Sequence, residues 1–228
     1  MKWEDLPEEL KCGEVRPYYL IIRKRFLTRI IKRGFDISAS VFLIITLLPI
    51  MFFIALFIRC DSYGPAIYRS RRITRYKKSF TMYKFRTMQI HKREKGGELT
   101  LLEDSRITRV GKWLRPLRLD ELPQLFNVLL GQMSFVGARP EDPRFVEHYT
   151  PEMMATLLLP AGITSRASIL FKNEDKILAN LKQKGYSTEK AYLTEILPEK
   201  MKHNLNYLKR FSIKEDISLC FKTLFHKK

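Results

Sequence analysis

The chain has 228 residues, of which 45% are hydrophobic, and it carries a formal net charge of +18. This length and apolar content suit one domain with a buried core, and they exclude a disordered basic tail. The charge calls for an anionic partner, and composition alone leaves open nucleic acid, a membrane surface and a phosphorylated substrate.

Residues 1–31 are predicted to form an N-terminal basic segment. The segment opens on an acidic run, residues 1–9, that lacks the charge pattern of a signal peptide. The three cysteines of the chain are far apart and form no CxxC pair, and the four histidines have no ligand spacing. A disulfide framework and a zinc site are therefore not expected, and a reducing compartment fits.

Residues 41–58 form an apolar run in which Thr46 is the one polar side chain. As a helix this run would be about 27 Å long, close to the thickness of a bilayer core. A buried core helix is the alternative, although a run without a polar face favours the membrane.

Two features favour a re-entrant helix over a spanning one. Pro49 lies in the middle of the run, where proline removes a hydrogen bond and bends or breaks a helix. Basic residues flank the run on both sides, and such residues favour the cytoplasmic side of a membrane. We therefore predict a re-entrant membrane helix over residues 32–60, broken at Pro49, and a cytoplasmic domain over residues 61–228.

The soluble part is predicted to begin with a small β-hairpin. Residues 66–72 and 79–86 form its strands around a basic turn. Residues 89–105 are polar and are interpreted either as a mobile loop, such as a lid, or as an ordinary surface loop.

A basic stretch then precedes two adjacent carboxylates. Thr108 is predicted to cap a short helix that ends near Pro116, and five basic residues crowd residues 106–118. Asp120 is predicted to cap the next helix, which ends at Gly131. The alternative for Asp120 is a chemical role, because arginines beside a helix N-terminus attract phosphate and keep a carboxylate ionised. Such a carboxylate is a candidate nucleophile or magnesium ligand.

Two further segments complete the pattern. Residues 133–140 are predicted to form a short strand that leads into a loop. Ser212 and Glu215 form a capping box, which opens a C-terminal helix that either packs on the domain or lies along the membrane surface.

These segments together resemble the monotopic phosphoglycosyl transferases, also called bacterial sugar transferases. The resemblance covers residues 32 to about 175, and its order and spacing make it specific. The stretches that carry it are Lys32-Arg33-Gly34-Phe35-Asp36, Tyr83-Lys84-Phe85-Arg86-Thr87-Met88, residues 106–111, residues 119–128 and residues 133–140.

The resemblance implies a fold, a reaction and a set of site residues. The expected fold is α+β and helix-dominated, with the re-entrant helix, the β-hairpin and amphipathic interfacial helices. Enzymes of this family move a phospho-sugar from a UDP-sugar to a polyprenyl phosphate such as undecaprenyl phosphate, and they release UMP. They use Mg²⁺, so the implied partners are these two substrates, the metal and membrane phospholipid, at the cytoplasmic face of the inner membrane. In this sequence the implied nucleophile is Asp120, and Glu121 is its partner carboxylate, which binds metal or handles the acceptor's proton. The other implied site residues are Arg115, Arg118, Lys84 and Arg86 for phosphate, and Ala138, Arg139 and Pro140 for uridine.

Three departures from the family pattern affect these expectations. Leu48 precedes Pro49 where the family often has serine, which leaves Thr46 to satisfy freed backbone groups. Ala138 replaces a proline, and Ser165 replaces the last glycine of a Pro-Gly-Ile-Thr-Gly element, which suggests a role of this region in sugar choice.

A nucleic-acid-binding protein and a non-catalytic membrane scaffold are the competing hypotheses. No nucleic-acid-binding motif supports the first, and the intact carboxylate pair argues against the second.

Overall fold

Helices dominate the part of the chain that a computed structural model describes, residues 2–89 and 106–225. The α-helices are α1 (Arg16–Lys24), α2 (Phe26–Asp61), α3 (Arg109–Leu114), α4 (Gln124–Leu129), α5 (Pro143–Val146), α6 (Arg166–Leu170), α7 (Glu174–Gln183), α8 (Thr188–Ala191), α9 (Leu197–Lys209) and α10 (Ile213–Phe225). The 3-10 turns are Glu8–Leu10, Arg75–Lys77, Leu119–Glu121 and Met153–Leu158, and Tyr192–Ile196 forms a π-helical turn. The predicted α+β, helix-dominated fold is confirmed. The loop predicted over residues 89–105 lies outside the described residues, apart from Gln89.

The strands form two small sheets. β1 (Ile67–Ile73) and β2 (Ser79–Phe85) pair antiparallel, which confirms the hairpin with its limits moved by one residue. β3 (Met133–Val136) pairs in parallel with β4 (Ala161–Thr164). We predicted β3 but not β4, since a four-residue strand has too short a pattern to be recognised.

α2 is a 36-residue apolar helix, about 54 Å long, and its surface is largely exposed. It is long and apolar enough to cross a membrane, and only 17% of its most apolar 18-residue window is buried. Phe42, Ile45 and Phe52 are each at least 65% exposed. A core helix would bury these side chains, so the alternative of a buried core helix is wrong.

The predicted break at Pro49 is not present, because α2 continues as helix on both sides of the proline. Pro49 lacks the N–H that the carbonyl of Ile45 would accept from. The Thr46 hydroxyl lies 2.9 Å from the carbonyl of Phe42 and not on that of Ile45, so the predicted substitution by Thr46 does not occur. Neighbouring turns supply enough hydrogen bonds to carry a helix through one proline.

Both ends of α2 pack on the same globular domain. Near its start, Lys32 forms a buried ion pair with Asp216 of α10 at 2.7 Å. Near its end, Ile58 lies in a buried cluster with Phe85 of β2 and Leu114 of α3. The exposed apolar middle of the helix therefore lies between two segments that pack on the domain.

The N-terminal residues belong to the core of this domain. Leu10, Val15 and Ile22 are fully buried, in one cluster with Leu208 and Phe211 near the C-terminus. α2 begins at Phe26, so the predicted boundary at residue 31 falls inside a helix. The composition predicts a basic segment, but α1 also carries the buried side chains of Tyr18, Tyr19 and Ile22.

Candidate active site

The two adjacent carboxylates lie on a 3-10 turn, Leu119–Glu121, that rests on α2. Leu119 and Leu122 pack against the cluster formed by Met51, Ile54 and Ile58 of α2. The turn starts after Arg118, whose φ of 57° is left-handed. A non-glycine residue in this region is strained, and such strain is common at functional sites.

Asp120 is not the helix cap that the sequence predicted. α4 begins at Gln124, its N-cap is Pro123, and no side chain caps it. The predicted end of this helix is confirmed, since Gly131 follows its last turn with a φ of +77°.

Glu121 is the centre of a buried ion-pair cluster. Its Oε1 accepts from Lys84 Nζ at 3.0 Å and from Arg139 Nη2 at 2.8 Å, and Arg118 Nη1 lies 3.7 Å away. Burial opposes the charge of Glu121, but Arg139, Lys84 and Arg118 outweigh it and hold its pKa well below the ordinary value. Glu121 is therefore ionised and fixed in place by cations from β2 and from the loop after β3.

Asp120 is held differently from its neighbour. Its Oδ1 is buried and has no hydrogen-bond partner among the residues that the structure describes. Burial raises the pKa of Asp120, and Glu121 adds to the increase, against the attraction of Lys84, Arg115 and Arg118. The sequence predicted that this carboxylate stays ionised through a lowered pKa, which is wrong because its burial outweighs the nearby cations.

Two buried donors without partners lie in the same stretch as Asp120. They are Arg115 Nη1 and Gln124 Nε2. Buried polar atoms without partners are costly and uncommon, and at an active site they are available to a ligand. A phosphate group needs donors such as these, and Asp120 Oδ1, which is close to them in the chain, supplies an acceptor or a nucleophile.

The loop predicted to contact uridine reaches the ion-pair cluster. Arg139 enters the cluster, Ala138 is half-buried and Pro140 is buried. β4 fixes the start of this loop, because Gly137 N donates to the carbonyl of Thr164 and Gly162 N donates to that of Ala138.

Arg86 lies elsewhere, at the C-terminal end of α2. Its Nη2 donates to the carbonyl of Ser62 at 2.6 Å and approaches that of Ile58 at 3.3 Å. Burial and the nearby Arg59 lower the pKa of Arg86, against the attraction of Asp61. The structure thus gives Arg86 a role at the end of the membrane helix and does not bring it to the carboxylates with the other predicted phosphate ligands.

The N-terminal half of α2 supports the elements on either side of the site. Arg33 donates to the carbonyls of Val128 and Leu129 at 2.7 and 2.8 Å, and so caps α4. Asp36 Oδ1 accepts from the hydroxyl of Ser134 and the amide of Phe135 in β3, both at 3.1 Å. The motif at residues 32–36 therefore joins the membrane helix to the site.

Sequence reasoning missed a second buried cluster, which is centred on Lys200 and acts electrostatically on Arg139. Lys200 Nζ contacts Glu174 at 3.1 Å, Glu141 at 3.5 Å and the Tyr192 hydroxyl at 3.0 Å. Glu141 and Glu174 both act electrostatically on Arg139. These residues come from four separate segments, and no local pattern in the sequence connects them.

Two carboxylates are the only metal-ligand candidates at this turn, and no group of three or more His, Cys, Asp or Glu side chains suited to a metal occurs within residues 2–89 and 106–225. Mg²⁺ commonly binds one or two carboxylates and completes its shell with water and substrate phosphate. Asp120 Oδ1 fits this pattern as an unpaired acceptor. Glu121 fits it less fully, since Lys84 and Arg139 occupy its Oε1.

Comparison with known proteins places residues 27–227 in a match to the family model described as bacterial sugar transferase. A UDP-N-acetylgalactosamine-undecaprenyl-phosphate N-acetylgalactosaminephosphotransferase of Aeromonas hydrophila is 36% identical over 85% of this chain and 43% of its own length. An undecaprenyl-phosphate glucose phosphotransferase of Komagataeibacter xylinus is 34% identical over 85% of this chain and 35% of its own length. A UDP-glucose:undecaprenyl-phosphate glucose-1-phosphate transferase of Escherichia coli is 32% identical over 87% and 40%. The chain thus spans less than half the length of these relatives.

Proposed function

Since the chain belongs to the bacterial sugar transferase family, we propose that it moves a phospho-sugar from a UDP-sugar to polyprenyl phosphate, with undecaprenyl phosphate as the natural acceptor. This reaction would initiate a membrane-linked glycan, either a polysaccharide or a glycoprotein glycan. The names of the three relatives support the donor and acceptor classes. The observation that carries the proposal is the buried, unpartnered Oδ1 of Asp120 beside the ion-paired Glu121.

In the first step, a carboxylate oxygen of Asp120 attacks the sugar-bearing phosphorus of the UDP-sugar. A P–O bond forms to Asp120, and the bond to the UMP oxygen breaks, so that UMP leaves with its electron pair. Arg115 Nη1 and Gln124 Nε2 are the buried donors available to the phosphate oxygens. A carboxylate with few hydrogen bonds is poorly solvated, which favours its use as a nucleophile.

In the second step, a phosphate oxygen of the lipid acceptor attacks the same phosphorus and releases Asp120. A phosphate monoester is mostly a dianion at neutral pH, so no proton has to be removed from it. Glu121 is held ionised by three cations and is poorly suited to take a proton. Its geometry favours positioning of Lys84 and Arg139, or a contribution to a metal site, over the proton-transfer role.

Mg²⁺ fits the proposed site through Asp120, with Glu121 as the second candidate ligand. When bound, the metal would neutralise charge on the diphosphate. The loop of residues 138–140 is proposed to contact uridine. Arg139 has one nitrogen on Glu121, and the rest of its guanidinium remains available to substrate.

We also propose that α2 is re-entrant and that the domain lies on the cytoplasmic face of the inner membrane. Both ends of α2 pack on one domain, through Lys32 at the start and Ile58 at the end, which favours a single side of the bilayer. Arg23, Lys24 and Arg59 near these ends agree with the cytoplasmic side. The exposed apolar surface between the ends suits contact with lipid.

The reaction is tested with a panel of UDP-sugars, undecaprenyl phosphate in membranes or nanodiscs, and a UMP-release readout. We expect release with at least one sugar by the wild type and none by Asp120→Asn. In the absence of acceptor, a UDP-sugar labelled with ³²P at the sugar-bearing phosphate should label the wild-type protein, and acceptor should discharge that label. Turnover by Asp120→Asn would contradict the covalent mechanism, and a wild type inactive with every sugar would contradict the function.

The topology is tested with two variants that retain a single cysteine, either Cys12 before α2 or the exposed Cys60 near its end. An impermeant maleimide should label neither in intact cells and both after permeabilisation. Labelling of one cysteine in intact cells would indicate a spanning helix.

A further inference from the structure

Two large apolar side chains on and just after α3 point away from the core. Trp113 is 77% exposed and Leu117 is 65% exposed, whereas Leu114 between them is 5% exposed. Tryptophan is mostly buried in soluble proteins, so an exposed tryptophan next to an exposed leucine indicates a contact surface. Neither residue has a role in the proposed reaction.

This surface lies where α2 returns to the domain. Leu114 is buried in one cluster with Met51, Ile54 and Ile58 of α2. The backbone amide of Val110 donates to Oδ2 of Asp61, the last residue of α2, at 3.0 Å. α3 is therefore fixed directly against the C-terminal end of the membrane helix.

The surroundings of the surface match a phospholipid interface. Tyr63, two residues after the end of α2, is 85% exposed. Arg59, Arg109 and Lys112 are also exposed around the same junction. Tryptophan and tyrosine concentrate at the head-group level of membranes, and nearby basic residues attract anionic lipid.

Exposed apolar residues also occur on the turns of α2 that lead to this junction. Phe53 and Phe57 are 54% and 59% exposed on the part of α2 that leads to the junction. A protein partner on α3 would not account for the many exposed apolar side chains along the middle of α2. Lipid is the one occupant that meets both the helix and the basic junction.

We infer that Tyr63, Trp113 and Leu117 form an interfacial anchor that inserts into the head-group and upper acyl region of the bilayer beside α2. Arg115 lies between Trp113 and Leu117 in the chain, and Asp120 follows three residues after Leu117. The anchor therefore sets the depth of the proposed phosphate-binding residues relative to lipid. It requires the insertion of α2 but not the proposed reaction.

The chain allows a direct test because it has only two tryptophans. The Trp3→Phe variant leaves Trp113 as the one reporter, and Trp113→Phe leaves Trp3, whose ring packs on Tyr19 with centroids 4.9 Å apart. Each full-length variant is reconstituted in nanodiscs of phosphatidylcholine and phosphatidylglycerol, with or without bromine on the upper acyl carbons. We expect brominated lipid to quench the emission of Trp113 strongly and that of Trp3 weakly.

A second pair of variants relates the quenching to the anchor. In the Trp3→Phe background, Leu117→Asp places a charge in the anchor and should reduce quenching of Trp113. Leu170→Asp changes a similarly exposed leucine on α6, at 56% exposure, and should leave the quenching unchanged.

Three results would overturn the anchor. One is unquenched Trp113 emission in a protein that still inserts through α2, and another is equal quenching of both tryptophans. The third is a blue shift of Trp113 that follows protein concentration rather than lipid, because it would indicate contact with a second copy.

Discussion

Amide substitutions of the two adjacent carboxylates should have opposite effects on stability. Asp120→Asn and Glu121→Gln each remove one negative charge and keep the shape of the side chain. Glu121 has two close cationic partners, while Asp120 Oδ1 is buried without a donor. Glu121→Gln therefore disrupts a buried ion-pair cluster, whereas Asp120→Asn removes a buried charge that lacks a hydrogen-bond donor on Oδ1.

The magnitude for Glu121→Gln follows from its contacts. The residue is 8% exposed, and its Oε1 lies 3.0 Å from Lys84 Nζ and 2.8 Å from Arg139 Nη2. Removal of one partner of a buried ion pair costs roughly 3–5 kcal/mol. At about 2–4 °C per kcal/mol for a protein of this size, the melting temperature should fall by roughly 6–20 °C.

For Asp120→Asn we expect a melting temperature equal to or above that of the wild type. Burial raises the pKa of Asp120, so the ionised group destabilises the folded state relative to the unfolded chain at neutral pH. The neutral amide does not have this penalty. The variant should nevertheless be inactive, which separates the loss of function from a loss of folding.

Thermal unfolding in detergent, followed by tryptophan emission in the presence of EDTA, measures both variants without a metal contribution. Glu189→Gln changes an exposed carboxylate of α8 and provides the baseline. A similar loss of stability in both variants, or no loss for Glu121→Gln, would refute the assignment of Glu121 as the stabilising member of the pair.

Two further predictions concern residues that position the site. Arg86→Met removes the donor to the Ser62 carbonyl at the end of α2. Because a hydrogen bond to a charged group contributes about 1.5–3 kcal/mol, the melting temperature should fall in the same thermal assay. Arg86→Lys should restore it in part. Gly162→Ala would place a Cβ 2.1 Å from the amide nitrogen of Gly137 and displace the loop that carries the uridine-contact residues, so UMP release should fall sharply. Gly13→Ala, with no atom within 4 Å of its Cβ, should retain wild-type release. An unchanged melting temperature for Arg86→Met, or equal release by the two glycine variants, would contradict these roles.

Local patterns in the sequence predicted the elements whose signals are local. Thr108 accepts from the amide of Gly111 at 3.0 Å, and Ser212 accepts from that of Glu215 at 3.3 Å, as the capping patterns indicated. The hairpin followed from its alternation, and the apolar helix from its composition. The sequence did not predict that α2 continues through Pro49. The hydrogen bonds of the surrounding turns outweigh the unfavourable effect of one proline on the helix.

The candidate site was predicted in its residues but not in its physical character. Asp120, Glu121 and Arg115 were identified by resemblance, and the structure brings Lys84 and Arg139 to them from other elements. Arg86 belongs to the same motif as Lys84 but serves the end of α2. The opposite pKa directions of the two carboxylates depend on burial and on long-range partners, which a linear motif does not contain.

α2 acts as part of the catalytic domain as well as its membrane attachment. Its first half caps α4 through Arg33 and holds β3 through Asp36, while its last turns support the carboxylate turn through Leu119 and Leu122. Because the proposed lipid contact and the site geometry use the same helix, the distance between Asp120 and the bilayer would be set by packing rather than by a flexible linker. In the proposed reaction, an acceptor phosphate at head-group level would meet Asp120 at a defined height, which would replace a diffusional search by positioning. Asp36 shows this coupling most directly, because it is buried within α2 and accepts hydrogen bonds from Ser134 and Phe135 of β3.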